Sequence, residues 1–347
     1  MSFLNFVSGV AQLSHSVVSR ETGCILGGAR LGSENSAVNW PQQHISAHLP
    51  GSTASTLCDV WWVDAPCRSG CDEGIAWRRA GDVLYGVIEL DEADFSAAGC
   101  PAIQAASEEA YRRIFRLLDA QKLPALWRVW NYLAGINEET AGLERYRQFN
   151  IGRQDAFLAC RQGTTGNVPA ACAIGLSAGP LSIAFLAGAV PAVAVENPRQ
   201  ISAYHYPAEY GPRSPIFSRA ALVYPPGQEI LFISGTASIV GHQTVHPGDI
   251  AGQCSESLAN ILAVVSEANR LCRSARFMPD ALIYRVYLRH AADYPVVRNI
   301  LSPTLGDAGI VYVEADICRA DLLVEIEAMA MHSLESGASA KHPAEPL

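Results

Sequence analysis

The chain has 347 residues, of which 49% are hydrophobic and 17% charged, and its formal net charge at pH 7 is −9. This length suits two domains with a large buried core, and the composition is typical of a globular enzyme rather than a disordered or fibrous chain. The net negative charge and the lack of any Lys/Arg-rich run argue against nucleic acid as a partner.

Neither the first residues nor the most apolar stretch indicates a membrane protein. MSFLNFVSGVAQLSHSVVSRE has no basic segment before an apolar core, so it is not typical of a signal peptide. Residues 171–196 are strongly apolar, but glycines and prolines interrupt them, which favours two buried strands with turns over a spanning helix. We therefore expect a cytoplasmic enzyme without a membrane partner.

The ten cysteines are scattered, and Cys58, Cys67 and Cys71 come closest to a cluster. Cys67 and Cys71 have no matching second pair, and His242 and His246 stand among glycines and proline rather than on a helix. We expect no metal site, and reduced thiols throughout.

In the first half, residues 1–100 mix short apolar runs with Gly, Ser and Pro, which indicates strands and loops. A strand is predicted at 82–90 and an amphipathic helix at 107–122, with Ala110, Ile114 and Leu117 on one face. A strand from residue 125 and helical residues at 144–149 follow. Residues 171–177 and 181–188 are then predicted to form a hairpin.

The second half repeats this order. A strand at 229–240 precedes a helix at 249–269 with Asp249 as its N-cap, then a strand at 281–290, a short helix and two more strands. The pattern predicts an α+β fold with a duplicated unit, mixed sheets, and helices packed on one face. We place an N-terminal unit at residues 1–200, a C-terminal unit at 201–330 and a flexible tail at 331–347.

The last predicted strand has an unusual second face. Apolar residues at 322, 324, 326, 328 and 330 share one face, while Glu325 and Glu327 lie on the other. A solvated face explains this pattern. The alternative is a carboxyl group that lines an enclosed pocket and takes part in acid–base chemistry.

The second half resembles the Rid (YjgF) enamine-deaminase fold. The resemblance rests on three segments: Phe232-Ile233-Ser234-Gly235, the run from Asp249 through Gln253 to Asn260-Ile261-Leu262, and Val324-Glu325-Ile326-Glu327-Ala328. It implies two Rid/YjgF-like (chorismate-mutase-like) units.

Over residues 125–330 the chain also resembles the chorismatases. The motifs are WNYLAGIN…ERYRQFNIGRQDAF, ENPRQISAYHYPAEYGPRSPIFSRA and SGTASIVGHQTVHPGD, in that order. Chorismatases split chorismate into pyruvate and either a cyclohexadiene diol or a hydroxybenzoate. The resemblance therefore implies a cofactor-free enzyme whose substrate carries two carboxylates.

Such a substrate needs fixed cations, and arginine binds a carboxylate bidentately. The resemblance assigns Tyr146 and Arg153 to the substrate; they are two helical turns apart and share a face if the helix continues. Gly152 makes a helix end there equally plausible, and both residues would then be surface or capping residues.

The proline-rich segment 204–219 is predicted to be a rigid loop that presents Tyr206, Tyr210, Arg213 and Arg219 to a small dianion. A structural connector is the alternative. The resemblance favours Tyr206 and Arg219 over Arg213, but a shift of one turn would exchange the two arginines.

Small residues close the strand before residue 240, with Gly235 and Ala237 among them. Here the backbone can come close to a flat ring, and the resemblance includes both residues in the substrate site. A simple tight turn explains the same pattern.

The resemblance identifies Glu325 as the acid that protonates the enolpyruvyl methylene, and we expect Glu327 to be the outer, more solvated carboxylate. Cys318 matches a position that is cysteine in 3-hydroxybenzoate synthases and small and inert in hydrolytic chorismatases. A thiol there can shuttle a proton while the ring aromatises. A buried cysteine with no chemical role is the alternative.

The leading hypothesis is a chorismatase that makes pyruvate and 3-hydroxybenzoate, for pigment, quinone or natural-product pathways, with 4-hydroxybenzoate left open as a second product. A hydrolytic chorismatase giving a dihydroxycyclohexadiene carboxylate, a Rid-type enamine or imine deaminase, and a non-enzymatic binding or scaffold protein are the alternatives. We expect chorismate as the small-molecule partner, and either a monomer or a homotrimer.

Overall fold

The computed structural model describes residues 3–10, 23–33, 38–306 and 309–334, and this part of the chain has the predicted α+β architecture. Helices pack on one face of each of two large mixed sheets, as expected. The α-helices are α1 (Ala102–Gln121), α2 (Arg145–Ala159), α3 (Ile250–Leu271) and α4 (Tyr294–Leu305).

The first four strands form a four-stranded sheet. Its spatial order is β1 (Leu4–Val10), β4 (Thr56–Val63), β2 (Cys24–Gly32) and β3 (Gln42–Ile45). Cys24 and Cys67 form a disulfide, with Cα atoms 6.0 Å apart. The expectation of reduced thiols throughout is therefore wrong for this pair. Cys24 lies opposite Val63 in the β2–β4 pair, so the chain that leaves β4 passes Cys24. Sequence spacing does not reveal that approach.

A seven-stranded sheet holds most of the first half. Its spatial order is β20 (Asp316–Ile317), β11 (Ala170–Leu176), β8 (Ala125–Ala134), β12 (Leu181–Gly188), β7 (Val83–Leu90), β6 (Ile75–Ala80) and β5 (Arg68–Asp72). Helices α1 and α2 cover one face, and Ala110, Ile114 and Leu117 of α1 lie in this core as predicted. Helix α1 begins at Ala102 rather than at residue 107.

The predicted hairpin of residues 171–177 and 181–188 is wrong. Both segments are buried strands, but β8 lies between them, parallel to β11 and antiparallel to β12. A parallel neighbour needs a crossover connection, and α2 supplies one between β8 and β11. The connection from β11 to β12 therefore passes the end of β8. The residues of a local turn do not show that a third strand lies between the two strands they join.

A six-stranded sheet holds most of the second half, with the spatial order β13 (Val193–Val195), β14 (Ala220–Val223), β15 (Gln228–Ala237), β21 (Val324–Ser333), β18 (Ile283–Leu288) and β19 (Ile310–Glu314). Helices α3 and α4 pack on one face. Asp249 caps α3 as predicted, because its carboxylate accepts a hydrogen bond from Gly252 N at 3.0 Å.

Two short strands cross the predicted boundary at residue 200, since β13 joins the second large sheet and β20 joins the first. The division into units stays a prediction. Strand β21 runs to Ser333, and Leu334 N donates to Gly227 O at 2.8 Å, so the first residues of the predicted flexible tail are ordered by pairing. Residues 335–347 of that tail lie outside the described residues.

Two small hairpins complete the described fold: β9 (Glu139–Thr140) pairs with β10 (Leu143–Glu144), and β16 (Ile239–Val240) pairs with β17 (Gln243–Thr244). A further core that includes Trp61, Tyr85 and Phe232 packs between the four-, seven- and six-stranded sheets. Among the described residues, no helix is long and apolar enough to cross a bilayer.

Candidate active site

An open cavity of about 740 Å³ lies where α2, the loop before β14, the end of β15 and the turn between β20 and β21 meet. Most of the site residues predicted from the sequence line it: Tyr146, Tyr206, Tyr210, Arg219, Gly235, Ala237, Cys318 and Glu325. Arg153 and Arg213 are not among its lining residues. Residues far apart in the chain thus converge as the motifs suggested.

Gly235 makes room for the carboxyl group of Glu325. The register of β15 against β21 shifts between Ile233 and Thr236, which is the irregularity of a β-bulge. A Cβ atom at position 235 would lie 1.8 Å from Glu325 Oε1. The sequence predicted that the backbone comes close to a flat ring at this glycine, and in the structure it comes close to the Glu325 carboxyl group. A side chain at position 235 would displace that carboxyl group.

Glu325 is only 4% exposed, and its pKa is raised to about 8. Burial is the largest cause of this rise and the neighbouring carboxylate of Glu327 is the second, whereas Arg128, the Cys318 thiol and Arg219 act in the opposite direction. A carboxyl group with this pKa holds its proton at neutral pH. Because Glu325 also faces the cavity, it can donate that proton to a bound molecule.

Cys318 lies beside the acid, and its thiol donates a weak hydrogen bond to Glu325 Oε2 at 3.9 Å. Burial raises the pKa of Cys318, and the Glu325 carboxyl adds to the rise. The side chain is therefore a neutral thiol at physiological pH. It can relay a proton to or from Glu325, but it is not a ready thiolate nucleophile.

A turn at residues 319–321 brings Cys318 and Glu325 to one cavity. Leu322 N donates to Arg319 O at 3.1 Å, which closes the turn. Gln253 of α3 supports the same segment through side-chain hydrogen bonds of 2.8 and 2.7 Å. Helix α3 thus fixes the separation of the thiol and the carboxyl group.

Two arginines lie close to the ring of Tyr206. The guanidinium of Arg219 lies 5.5 Å from the ring centroid and donates to the Tyr206 hydroxyl at 2.8 Å. The guanidinium of Arg319 lies 5.3 Å from the same centroid and 4.1 Å from that of Tyr210. These distances are typical of cation–π contacts, which hold both cations in place.

Both of these arginines keep a free donor in the described structure. Arg219 Nε and Arg319 Nη2 are buried and have no hydrogen-bond partner within the described part of the chain. A buried guanidinium N–H without a partner is costly, so such donors favour an anionic ligand. Arg319 was not predicted as a site residue, and its position next to Cys318 was the only signal for it.

Helix α2 continues through Gly152 to Ala159, so Tyr146 and Arg153 are both helical. A Cβ on Gly152 would lie 2.0 Å from Gln104 O of α1, and this glycine therefore serves close helix packing. Tyr146 lines the cavity, and burial raises its pKa. Arg153 is 2% exposed and donates to Asn150 Oδ1 at 2.6 Å.

Arg213 is the exposed member of the predicted arginine set. It pairs with Asp155 at 3.3 Å, and its side chain is 45% exposed. The loop therefore turns Arg219, and not Arg213, toward the cavity. This outcome agrees with the order of preference given by the resemblance.

The interpretation of Glu327 as an outer, solvated carboxylate is wrong. It is 6% exposed and forms a buried ion pair with Arg128 of β8. The seven-stranded sheet covers this face of β21. Alternation along a strand shows which residues share a face, but it does not show what covers that face.

Within the described ranges, no three His, Cys, Asp or Glu side chains are grouped as metal ligands. Besides Glu325 and the Cys318 thiol, the cavity offers tyrosine hydroxyls and three arginines, Arg147, Arg219 and Arg319. This set suits a small anionic molecule that undergoes proton transfer.

A family model described as chorismatase FkbO/Hyg5-like, N-terminal, matches residues 59–187. A solved structure described as a chorismatase superimposes with a TM-score of 0.82 at 34% identity, covering 95% of this chain and 98% of that one.

Curated relatives align over most of their length. A chorismatase of Streptomyces rapamycinicus is 40% identical over 81% of this chain and 84% of its own. A 3-hydroxybenzoate synthase of Streptomyces hygroscopicus is 38% identical over 84% of this chain and 86% of its own. Residues of the three chorismatase motifs line the cavity. Because the relatives are about 40% identical over most of both chains, the chain belongs to the chorismatase family.

Proposed function

We propose that this protein cleaves chorismate to pyruvate and 3-hydroxybenzoate. The observation that carries the proposal is the pair formed by Glu325, a protonated carboxyl group in the cavity, and the Cys318 thiol 3.9 Å from it. The reaction needs an acid for the side chain and a second proton carrier for the ring. This pair can supply both.

The substrate's two carboxylates match the two free arginine donors. Arg219 and Arg319 both lie close to Tyr206, each with an unpaired N–H group in the described structure. Each can form a charge-assisted hydrogen bond to one carboxylate. Tyr146 and Tyr210 offer hydroxyl groups along the same wall, and Arg153 adds positive charge behind it.

In the first step, Glu325 donates its proton to the terminal methylene carbon of the enolpyruvyl ether. The product is an oxocarbenium-like centre, and the carboxylates held by arginine offset its positive charge. Water then adds to this centre, and the resulting hemiketal collapses to pyruvate, which leaves the ether oxygen on the ring as a 3-hydroxyl group. Glu325 is left as a carboxylate.

In the second step, the ring loses its 4-hydroxyl group as water, using the proton that the added water released. It also loses the proton on the carbon that bears the 3-hydroxyl group, and it becomes aromatic as 3-hydroxybenzoate. The Cys318 thiol passes its proton to Oε2 of Glu325 and takes up the ring proton, which restores both groups. One proton enters the methylene and one leaves the ring, and any water added on release of pyruvate is lost again on aromatisation. The conversion therefore balances without a co-reactant.

The relatives named chorismatase and 3-hydroxybenzoate synthase are similar to this chain to nearly the same degree, so overall identity does not choose between the products. Cys318 supports the aromatic product, because an inert side chain at this place could not carry the ring proton. A non-aromatic dihydrodiol acid is the outcome expected if the thiol takes no part.

Incubation of the purified protein with chorismate tests the proposal. A coupled assay measures pyruvate, and chromatography separates the ring products. We expect pyruvate and 3-hydroxybenzoate in equal amounts. Pyruvate with only the dihydrodiol acid would assign the hydrolytic reaction instead, and no consumption of chorismate would refute the proposal.

A further inference from the structure

Glu327 is held as an anion by groups on neighbouring strands. Besides its ion pair with Arg128, its Oε1 accepts a hydrogen bond from the Tyr287 hydroxyl at 3.1 Å and lies 3.5 Å from Arg285 Nη1. Arg285 in turn pairs with Asp59. Two cations and two anions thus meet in the interior, and every oxygen of Glu327 has a donor nearby.

This network lies outside the proposed active site. Arg128, Glu327, Asp59 and Arg285 line a second, small cavity of about 40 Å³ between the sheets, whose other walls include aromatic rings such as Trp130. None of these four residues lines the cavity that contains Glu325. The reaction steps described above do not use them.

Glu325 and Glu327 nevertheless lie on the same face of β21, two residues apart. This spacing puts their Cα atoms about 7 Å apart. Both side chains are nearly inaccessible, so little water screens one carboxyl group from the other. Glu327 is therefore a fixed negative charge directly behind Glu325.

We propose that Glu327, locked in place by Arg128, is a positioning residue that keeps Glu325 in its protonated, proton-donating form. Two buried carboxylates this close do not both ionise readily, and the one with the arginine partner takes the charge. The proposal rests on the proposed function, in which Glu325 is the acid. The raised pKa of Glu325 agrees with the proposal, because Glu327 is the second-largest cause of the rise, behind burial.

Other charged or titratable groups also face Glu325. They are Cys318 of the adjoining turn, Arg219 before β14, Tyr146 of α2, Arg128 of β8, Cys172 of β11 and Tyr287 of β18. Arg128 and Arg219 favour the ionised form of Glu325, as does the hydrogen bond from Cys318. Glu327 differs from all of these groups because it is held as an anion. Its removal is therefore expected to lower the pKa of Glu325, whereas removal of either arginine is expected to raise it.

The test is the pH dependence of kcat in Glu327→Gln. A general acid is active while protonated, so activity falls as pH rises through the pKa of Glu325. Loss of the Glu327 charge lowers that pKa. We expect the alkaline limb to move to lower pH by about one to two units, with the low-pH plateau of kcat retained within several-fold.

If Glu327 had only a structural role, Glu327→Gln would lower the plateau of kcat and leave the alkaline limb at its wild-type pH. That result would overturn the proposal. Because Glu327→Gln leaves the charge of Arg128 unpaired, Arg128→Met/Glu327→Gln serves as the second variant. Its limb should lie between those of the single variant and the wild type. A double-variant limb at the wild-type position would also overturn the proposal.

Asp59→Asn is the matched control, since Asp59 is equally buried and also pairs with an arginine. We expect it to lower the melting temperature without moving the limb. Glu325→Gln separates this proposal from the proposed function. If that variant stays active, the acid assignment fails; if it is inactive while Glu327→Gln keeps the wild-type limb, only the positioning role of Glu327 fails.

Discussion

Gly235→Ala adds a single methyl group at a place where the backbone closely approaches the carboxyl group of the proposed acid. The new Cβ would stand 1.8 Å from Glu325 Oε1 and 2.6 Å from the carboxyl carbon. Gly235 does not have a left-handed φ angle, so alanine introduces no backbone strain of its own. The substitution therefore acts through the position of the carboxyl group.

The size of the effect follows from the required movement. Ordinary contact begins near 3.4 Å, so the carboxyl group must move by about 1.5 Å or more. A misplacement of about 1 Å can reduce catalysis by about 10²-fold. We expect kcat/KM for chorismate to fall by about that factor, while overpacking costs about 1–3 kcal/mol of unfolding free energy.

The assay is steady-state pyruvate release, with thermal unfolding measured on the same samples. Gly163→Ala is the control, because the nearest atom to its new Cβ is Thr165 O at 3.8 Å and its φ is not left-handed. It should keep wild-type activity. A Gly235→Ala enzyme with wild-type kcat/KM would refute the placement of the acid against this bulge.

The remaining predictions concern binding, product and pH. Arg219→Ala should weaken chorismate binding by about 2–3 kcal/mol, measured as a rise in KM or Kd, whereas Arg213→Ala should change neither; equal effects would reject the cavity assignment. Cys318→Ala should still release pyruvate but shift the ring product toward the dihydrodiol acid, and an unchanged chromatographic ratio at full rate would remove the thiol from the mechanism. Wild-type kcat/KM should be flat below about pH 8 and fall tenfold per unit above it, because Glu325 must be protonated; activity that rises through this range would contradict its role as an acid.

The sequence predicted the elements whose hydrophobic period is strong. Helix α3 with its Asp249 cap and strand β21 with its alternating faces both follow from local pattern. Tyr206, Arg219 and Glu325 were found through the resemblance, because their chemistry fits the substrate but their spacing alone is ambiguous.

Other features depend on contacts between distant segments, which a single sequence does not display. The insertion of β8 between β11 and β12 is a matter of topology, and the Cys24–Cys67 bond depends on how β2 pairs with β4. Glu327 was misjudged for the same reason, since its partner Arg128 is far away in the chain. Arg319 was missed because only the folded turn brings it against Tyr206 and Tyr210.

Glu325→Gln tests the central claim most directly, since it keeps the shape of the side chain and removes the proton that starts the reaction. With chorismate as substrate, binding should be retained in an equilibrium measurement while pyruvate release in a single turnover falls by about 10² or more. Pyruvate release at a rate near that of the wild type would contradict the role of Glu325 as the acid.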